Sequence, residues 1–435
     1  MSNLEIGLWG IGILIVLVLL RAPLGLALLG TSFIGISVMI SERSALGLLA
    51  STPYDFVASW SLSSIPMFLL MGYLAYCCSL TDGLFKLARK LLSWLPGGLG
   101  IATIAGSGLF AAVSGSSVAC SATMGRVAVP EMNKAGYQPG FSGSIVAIGG
   151  TVGSMIPPSI VMIIYGVFTQ VSIAKLFIAG ILPGLLSMAI FSLVIIARVK
   201  LNPSLAPRES QGSTPDTWSS AILETWPMVM LICVVLGGIF SGAFTATEAG
   251  GVGAAITALI AVFRRALSWR RLGQALVETL KTTSTVFLIA IGATLFTRFL
   301  ALSGVPDYMT NVALSLSDSP LTFIIGVSVV FLVLGMFLEP IGIMLLTLPL
   351  LLPIFNHYEI DLIWMGILVV KYLEISLVTP PIGMNLFVVK TVMGSGLNMG
   401  SLLVNTFWFV VAEMFILGLL IGFPSISLWL PSFLD

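Results

Sequence analysis

The chain has 435 residues, of which 57% are hydrophobic and 9% charged, with a net charge of +1 and a mean hydropathy of +1.10. A soluble domain carries about 25% charged residues, so a chain this apolar takes lipid as its outer solvent. The near-neutral balance lacks a basic stripe with interleaved aromatics and argues against nucleic acid as a partner, while a single histidine, His357, leaves little room for zinc or triad chemistry.

The first apolar segment has neither the basic start nor the small-residue cleavage site of a signal peptide and reads as a retained span. A crossing of about 30 Å needs roughly 20 apolar residues. Such spans are expected at 6–21, 23–41, 56–80, 140–170, 174–197, 225–243, 246–263, 275–301, 362–392 and 400–425. Two stretches, 96–134 and 320–356, are too long and too interrupted by Gly, Pro and Ser for one straight helix. Residues 201–218 form a polar connector that divides the chain into similar halves. Cys77, Cys78, Cys120 and Cys233 sit in apolar or small-residue segments and read as structural thiols.

Lys and Arg concentrate in cytoplasmic loops. The clusters Lys86/Arg89/Lys90, Arg126/Lys134, Arg198/Lys200/Arg208 and Arg264/Arg265/Arg270/Arg271 all fall inside if the N-terminus is outside and both broken stretches return to the side they entered. Loops around Asp55, Asp307/Asp318 and Glu359/Asp361 then fall outside; Arg43 and Lys175 are exceptions. Two ordinary spans at each broken stretch would give the same pattern.

The halves share a proline pattern. Pro353 follows Pro130 by 223 residues, and Pro380 and Pro381 follow Pro157 and Pro158 by the same 223. The first broken stretch lies between basic loops and the second between acidic ones, so the copies enter from opposite sides. The expected fold is an all-α polytopic membrane protein with an inverted-topology repeat of two re-entrant hairpins and two Pro-Pro-broken helices, an arrangement that places a binding site near the bilayer midplane.

Ser114-Gly115-Ser116-Ser117 sits at the centre of the first broken stretch. Irregular backbone at membrane depth is tolerated only where it is buried or lines a cavity. Its carbonyls and hydroxyls suit Na⁺ and its half-helix N-terminus suits a carboxylate, although a small-residue helix contact gives the same string. Gly150, Thr151, Ser154, Pro157 and Pro158 break the next helix and free carbonyls for an ion or for neighbouring side chains. The second half offers Gly335 to Pro340, with Glu339 at the turn, and Val378-Thr379-Pro380-Pro381 followed by Asn385. Glu339 reads either as a site carboxylate or as a helix-start carboxylate facing solution. Thr379 and Asn385 read either as ligands or as interhelical hydrogen-bond partners. Lys371 and Glu374, three apart, suit an intramembrane ion pair. Glu413 has no partner nameable from sequence, and Arg298 suits snorkelling or anion attraction. Trp9, Trp60, Trp94, Tyr308 and Trp429 read as interface anchors.

In order along the chain, Ser114-Gly115-Ser116-Ser117, Pro130-Glu131-Met132, Ile156-Pro157-Pro158-Ser159, Leu176 to Gly184, Thr245 to Ala249, Gly335 to Pro340 and Thr379 to Leu386 resemble the large membrane subunit of tripartite ATP-independent periplasmic (TRAP) transporters, the DctM-like family. Glu339 departs from the aspartate usual there. The resemblance implies a bacterial inner-membrane protein working with a small four-helix membrane subunit and a periplasmic substrate-binding protein. It implies Na⁺ symport of a small organic anion, a carboxylate or sulfonate, without ATP. It also implies an elevator, with transport-domain halves at 96–200 and 319–435, scaffold helices at 1–95 and 220–318, and the connector at 201–219. The sodium ligands implied are Ser114, Gly115, Ser116, Gly150, Thr151, Ser154, Pro157, Gly335, Glu339, Val378, Thr379 and Pro381. Substrate contacts are implied at Ser116, Ser117, Thr379 and Asn385. A stand-alone sodium–carboxylate symporter or antiporter of the same architecture is the alternative. A channel or an intramembrane enzyme fits less well, and no P-loop is present.

Overall fold

The computed structural model describes residues 1–207, 218–316, 319–381 and 383–434, and every regular element among them is helical. The first half runs α1 (Asn3–Leu19), α2 (Leu24–Met39), α3 (Glu42–Val57), α4 (Ser64–Cys77), α5 (Asp82–Leu92), α6 (Gly98–Ser114), α7 (Ser117–Lys134), α8 (Pro139–Met155), α9 (Ile160–Thr169) and α10 (Ile173–Leu201). The second runs α11 (Trp218–Phe240), α12 (Ala246–Phe263), α13 (Trp269–Ser303), α14 (Val305–Leu316), α15 (Pro320–Gly335), α16 (Pro340–His357), α17 (Leu362–Val378), α18 (Met384–Met393), α19 (Met399–Gly422) and the single turn α20 (Ser425–Leu428). Eight helical stretches among the described residues are long and apolar enough to cross a membrane. The chain is an all-helical, multi-pass membrane protein.

Both broken stretches are helical hairpins: α6 turns into α7 at Gly115, and α15 into α16 between Met336 and Glu339. Each hairpin is followed by an interrupted helix. α8 ends at Met155 and α9 begins at Ile160; α17 ends at Val378 and α18 begins at Met384. Proline supplies no N–H and clashes with the preceding turn, which stops α8 and α17 where the Pro-Pro pairs stand. Ser159 restarts α9 by accepting a hydrogen bond from the Met162 N–H. Gly383 restarts α18 from a left-handed conformation, φ +53°. Both Pro-Pro bonds are cis.

Three helices lie where the sequence suggested loops. α3 carries Asp55, α5 carries Lys86, Arg89 and Lys90, and α14 carries Asp307. Arg208, Asp318 and most of the connector lie outside the described residues.

The centre of the molecule is α8. Every residue from Gly140 to Met155 is buried, against α6, α7, α10, α17, α18 and α19. A second neighbourhood joins α13 to α2 and α4, and α4 to α12, with α1 and α3 beside them. Leucine, isoleucine and valine on the outer faces, such as Ile13, Val16, Ile222, Ile325 and Val329, remain exposed. In water such a surface would be a liability; against acyl chains it is the matching face.

Candidate translocation site

The first hairpin tip seats directly on the first helix break. Gly115 adopts φ +60°, and a Cβ built there would lie 2.6 Å from the Pro158 carbonyl oxygen. Only glycine accepts both the left-handed backbone and this approach. The Ile160 N–H points at the Gly115 carbonyl at 3.5 Å, tying the far side of the break to the tip. Ser116 caps α7 by accepting from the Ala119 N–H at 3.4 Å. Ser117 and Ser154 hydroxyls lie 2.5 Å apart, and Ser117 Oγ is 3.4 Å from the Thr151 carbonyl. The structure therefore brings Ser114, Gly115, Ser116, Ser117, Thr151, Ser154 and Pro157 into one locus.

Two glycines let α7 come this close to α8. A Cβ at Gly153 would sit 3.1 Å from the Ser116 carbonyl oxygen, and one at Gly150 would fall 1.8 Å from Ser121 Oγ. At the tip, Ser114 Oγ is buried without a hydrogen-bond partner among the described residues, as are Ser121 Oγ, against Gly150, and Ser107 Oγ, against Gly149 further along α6. Uncommitted hydroxyl oxygens beside an interrupted helix are the donor set a hard monovalent cation prefers. The sequence reading missed Ser107 and Ser121; their only signal is a small hydroxyl residue on the helix face opposite Gly149 and Gly150.

The second tip is built differently. A Cβ at Gly335 would fall 2.1 Å from Ser376 Cβ, so α15 and α17 cross at van der Waals limit beside the second break. Val378 is buried, while Pro380 and Pro381 are exposed. Thr379 donates its hydroxyl to the Ile375 carbonyl at 2.6 Å. Glu339 is exposed at the N-cap of α16 and caps nothing with its side chain. Asn385 is fully buried and donates Nδ2–H to the Ala147 carbonyl of α8 at 3.2 Å, and its Oδ1 has no partner among the described residues. Thus Gly335 packs on Ser376 two residues before Val378, Asn385 joins α8, and Glu339 is exposed.

Behind the first break lies a dry ionic cluster. Lys371 Nζ is 3.0 Å from Glu374 Oε2, 2.5 Å from Glu413 Oε2 and 3.0 Å from Ser187 Oγ, with all three charged side chains at most 1% exposed. Glu413 thus has a partner within its own chain. Its Oε1 also lies 3.5 Å from the Thr151 hydroxyl. The cluster ties α17, α19 and α10 to the interrupted α8, because removing any member strands a charge in a low-dielectric interior. Arg298 Nη1 donates to Thr52 Oγ1 at 3.0 Å.

Two cavities approach the tip from the α4 and α13 side. The deeper, about 380 Å³, touches Ser114 and Ser116 and is walled by Tyr73, Tyr76, Thr123 and Thr282. The outer, about 580 Å³, shares Tyr76 and Thr123 with it.

The family described as "Tripartite ATP-independent periplasmic transporter, DctM component" matches residues 11–426. The C4-dicarboxylate TRAP transporter large permease protein DctM of Pseudomonas aeruginosa is 36% identical over 402 residues, covering 92% of both chains. The sialic acid TRAP transporter large permease protein SiaM of Vibrio cholerae is 31% identical over 412 residues, 92% of this chain and 94% of that one. Among solved structures, the YdaH transporter of Alcanivorax borkumensis shares the fold, with TM-score 0.62, 12% identity and 88% of each chain covered. A family match from residue 11 to residue 426, with relatives alike over nine-tenths of their length, makes this chain a member of the DctM component family of tripartite ATP-independent periplasmic transporters.

Proposed function

We propose that this chain is the translocating subunit of a bacterial inner-membrane importer that moves a small organic anion with Na⁺, without ATP, after a periplasmic binding protein delivers it and with a small four-helix membrane subunit alongside. The observation that carries the reading is the hairpin tip seated on a helix break, with the Ser114 hydroxyl uncommitted at the tip and the Ser121 hydroxyl uncommitted beside Gly150 behind it. Ser114, Gly115, Ser116, Gly150, Thr151, Ser154 and Pro157 would surround one sodium ion, and Gly335, Val378, Thr379 and Pro381 a second, with Glu339 near its rim. Ser116, Ser117 and Thr379 would contact the anion, and Asn385 would act by holding α18 against α8.

The order of hairpin then interrupted helix occurs twice, which supports an inverted repeat whose halves, 96–200 and 319–435, move as an elevator beside a scaffold of 1–95 and 220–318. Relatives named for C4-dicarboxylates, sialic acid and isethionate support a small carboxylate or sulfonate as the substrate class, with its identity set largely by the soluble partner. Replacing Ser116 or Thr379 with alanine should weaken the sodium dependence of uptake while leaving membrane insertion intact. Unchanged sodium dependence in both variants removes the site assignment. Uptake that is equally fast without the binding protein would instead favour a stand-alone sodium–carboxylate symporter.

A further inference from the structure

The outer cavity contains an unused cation. Arg126, on α7, lines it with Tyr76 and Cys77 of α4, Thr123 of α7, and Gln274 and Glu278 of α13. The neighbouring charges are committed. Arg89 pairs with Glu131 at 2.8 Å, Lys86 with Glu224 at 2.7 Å, and Glu278, the carboxylate on this cavity's own wall, with Lys281 at 3.2 Å. Among the described residues Arg126 forms no ion pair. Its guanidinium instead donates to Tyr76 Oη and lies over the Tyr76 ring, 5.8 Å from the centroid. The wall thus carries Arg126, with Arg271 acting near Cys77, against the one carboxylate of Glu278, a balance on the positive side.

Tyr76 and Thr123 wall both cavities, so the Arg126–Tyr76 contact stands where the space beside the hairpin tip opens into the outer chamber. Arg126 follows Ser116 by ten positions on α7, a rise of about 15 Å at 1.5 Å per residue. The charged ends of a four-carbon dicarboxylate are at most about 6 Å apart. An anion of that size at Ser116 sits in the deeper cavity, whereas Arg126 lines the outer one.

We propose that Arg126, with Tyr76, forms a second anion-binding station for a small carboxylate or sulfonate, occupied on the way between the hairpin tip and solution. The station rests on the transport reading above. The planar fork of Arg126 would take the anion's oxygens in a bidentate grip and release Tyr76 as it does so. Because Tyr76 belongs to α4 and Arg126 to the first hairpin, the exchange also loosens a contact between those two bodies.

Cys77 reports on this chamber directly. With Cys78, Cys120 and Cys233 replaced by serine, Cys77 is the one thiol, and its rates with negatively charged, positively charged and neutral methanethiosulfonates measure the local field. The negative reagent should outpace the positive one, each normalised to its rate with a free thiol, by at least about threefold at low salt. Arg126→Gln should lower that preference and Arg126→Lys should keep it, with Arg271→Gln run beside them to measure the other cation that acts on Cys77. Succinate, sialic acid and isethionate, tested separately at millimolar concentration, should include at least one that slows the negative reagent in the parent protein and not in Arg126→Gln. Equal normalised rates for the two charged reagents, a preference unchanged by Arg126→Gln, or protection by none of the three anions overturns the station. Sodium-driven uptake by the unmodified complex, measured in parallel, tests the transport reading separately, since the labelling rates need no turnover.

Discussion

Gly115→Ala is the sharpest perturbation of the docked tip, because one methyl group attacks two independent features. Its backbone sits at φ +60°, where an L-residue costs about 1–2 kcal/mol. The methyl would also lie 2.6 Å from the Pro158 carbonyl oxygen, whereas ordinary contact begins near 3.4 Å. Tip and break must therefore separate by roughly 0.8 Å, and overpacking of this kind costs about 1–3 kcal/mol. If the second cost falls on the docked, sodium-bound arrangement, apparent sodium affinity drops by about 5- to 150-fold. Gly242→Ala supplies the control: that glycine has φ +71°, but its Cβ would meet nothing within 4 Å. The assay is the sodium concentration for half-maximal uptake in proteoliposomes, with thermal unfolding in detergent, with and without sodium, beside it. Gly115→Ala should lose sodium affinity and sodium-dependent stabilisation, while Gly242→Ala loses only general stability. Equal effects of the two substitutions on sodium affinity would refute the seat of the tip on the break.

Lys371→Met leaves Glu374 and Glu413 together in a dry interior; it should cost about 3–5 kcal/mol and lower the unfolding temperature far more than Lys281→Met, which touches only an exposed pair. Gly335→Ala should be destabilised by overlap with Ser376 and recover in the double variant with Ser376→Gly, a non-additivity measured by a thermal double-mutant cycle. Glu131, in the basic loop region at the end of α7, is held below its ordinary value of 4.5 by the hydrogen bond from Lys134 and by the charges of Lys134 and Arg89, against a smaller opposing effect of burial. Because its folded value is the lower one, its stabilising contribution is present above that ordinary value and fades as pH falls through the folded value. Hydrogen exchange at the end of α7 should accordingly quicken on acidification, beyond the intrinsic pH effect, in the parent chain and not in Glu131→Gln.

Much of the fold was legible because its irregularities are local chemistry. Pro157/Pro158 and Pro380/Pro381 cannot continue a helix, and Gly115 permits the reversal between α6 and α7, so the breaks and the first tip are written into short strings. The apolar-run criterion overlooked α3, α5 and α14 because these helices are amphipathic or polar; Lys86, Arg89 and Lys90 on α5 read as a loop by charge alone. The ionic cluster was half visible. Lys371 and Glu374 are one helical turn apart, but Glu413 comes from α19, and nothing in linear spacing says that α19 packs on α17 and α8. Asn385 stayed open between ligand and interhelical hydrogen bond for the same reason: next to the Pro-Pro break in sequence, it donates to the carbonyl of Ala147 on another helix. Ser107 and Ser121 were missed because their one signal, a hydroxyl opposite Gly149 and Gly150, emerges only once the two helices are known to pack together.

The most direct measurement is uptake of a radiolabelled anion by liposomes holding this chain, its small membrane partner and the soluble binder, with sodium first outside and then inside. Accumulation should follow the inward sodium gradient and cease when the gradient is reversed. Accumulation that ignores the direction of that gradient, or that potassium supports equally well, would contradict the cation chemistry assigned to the hairpin tips.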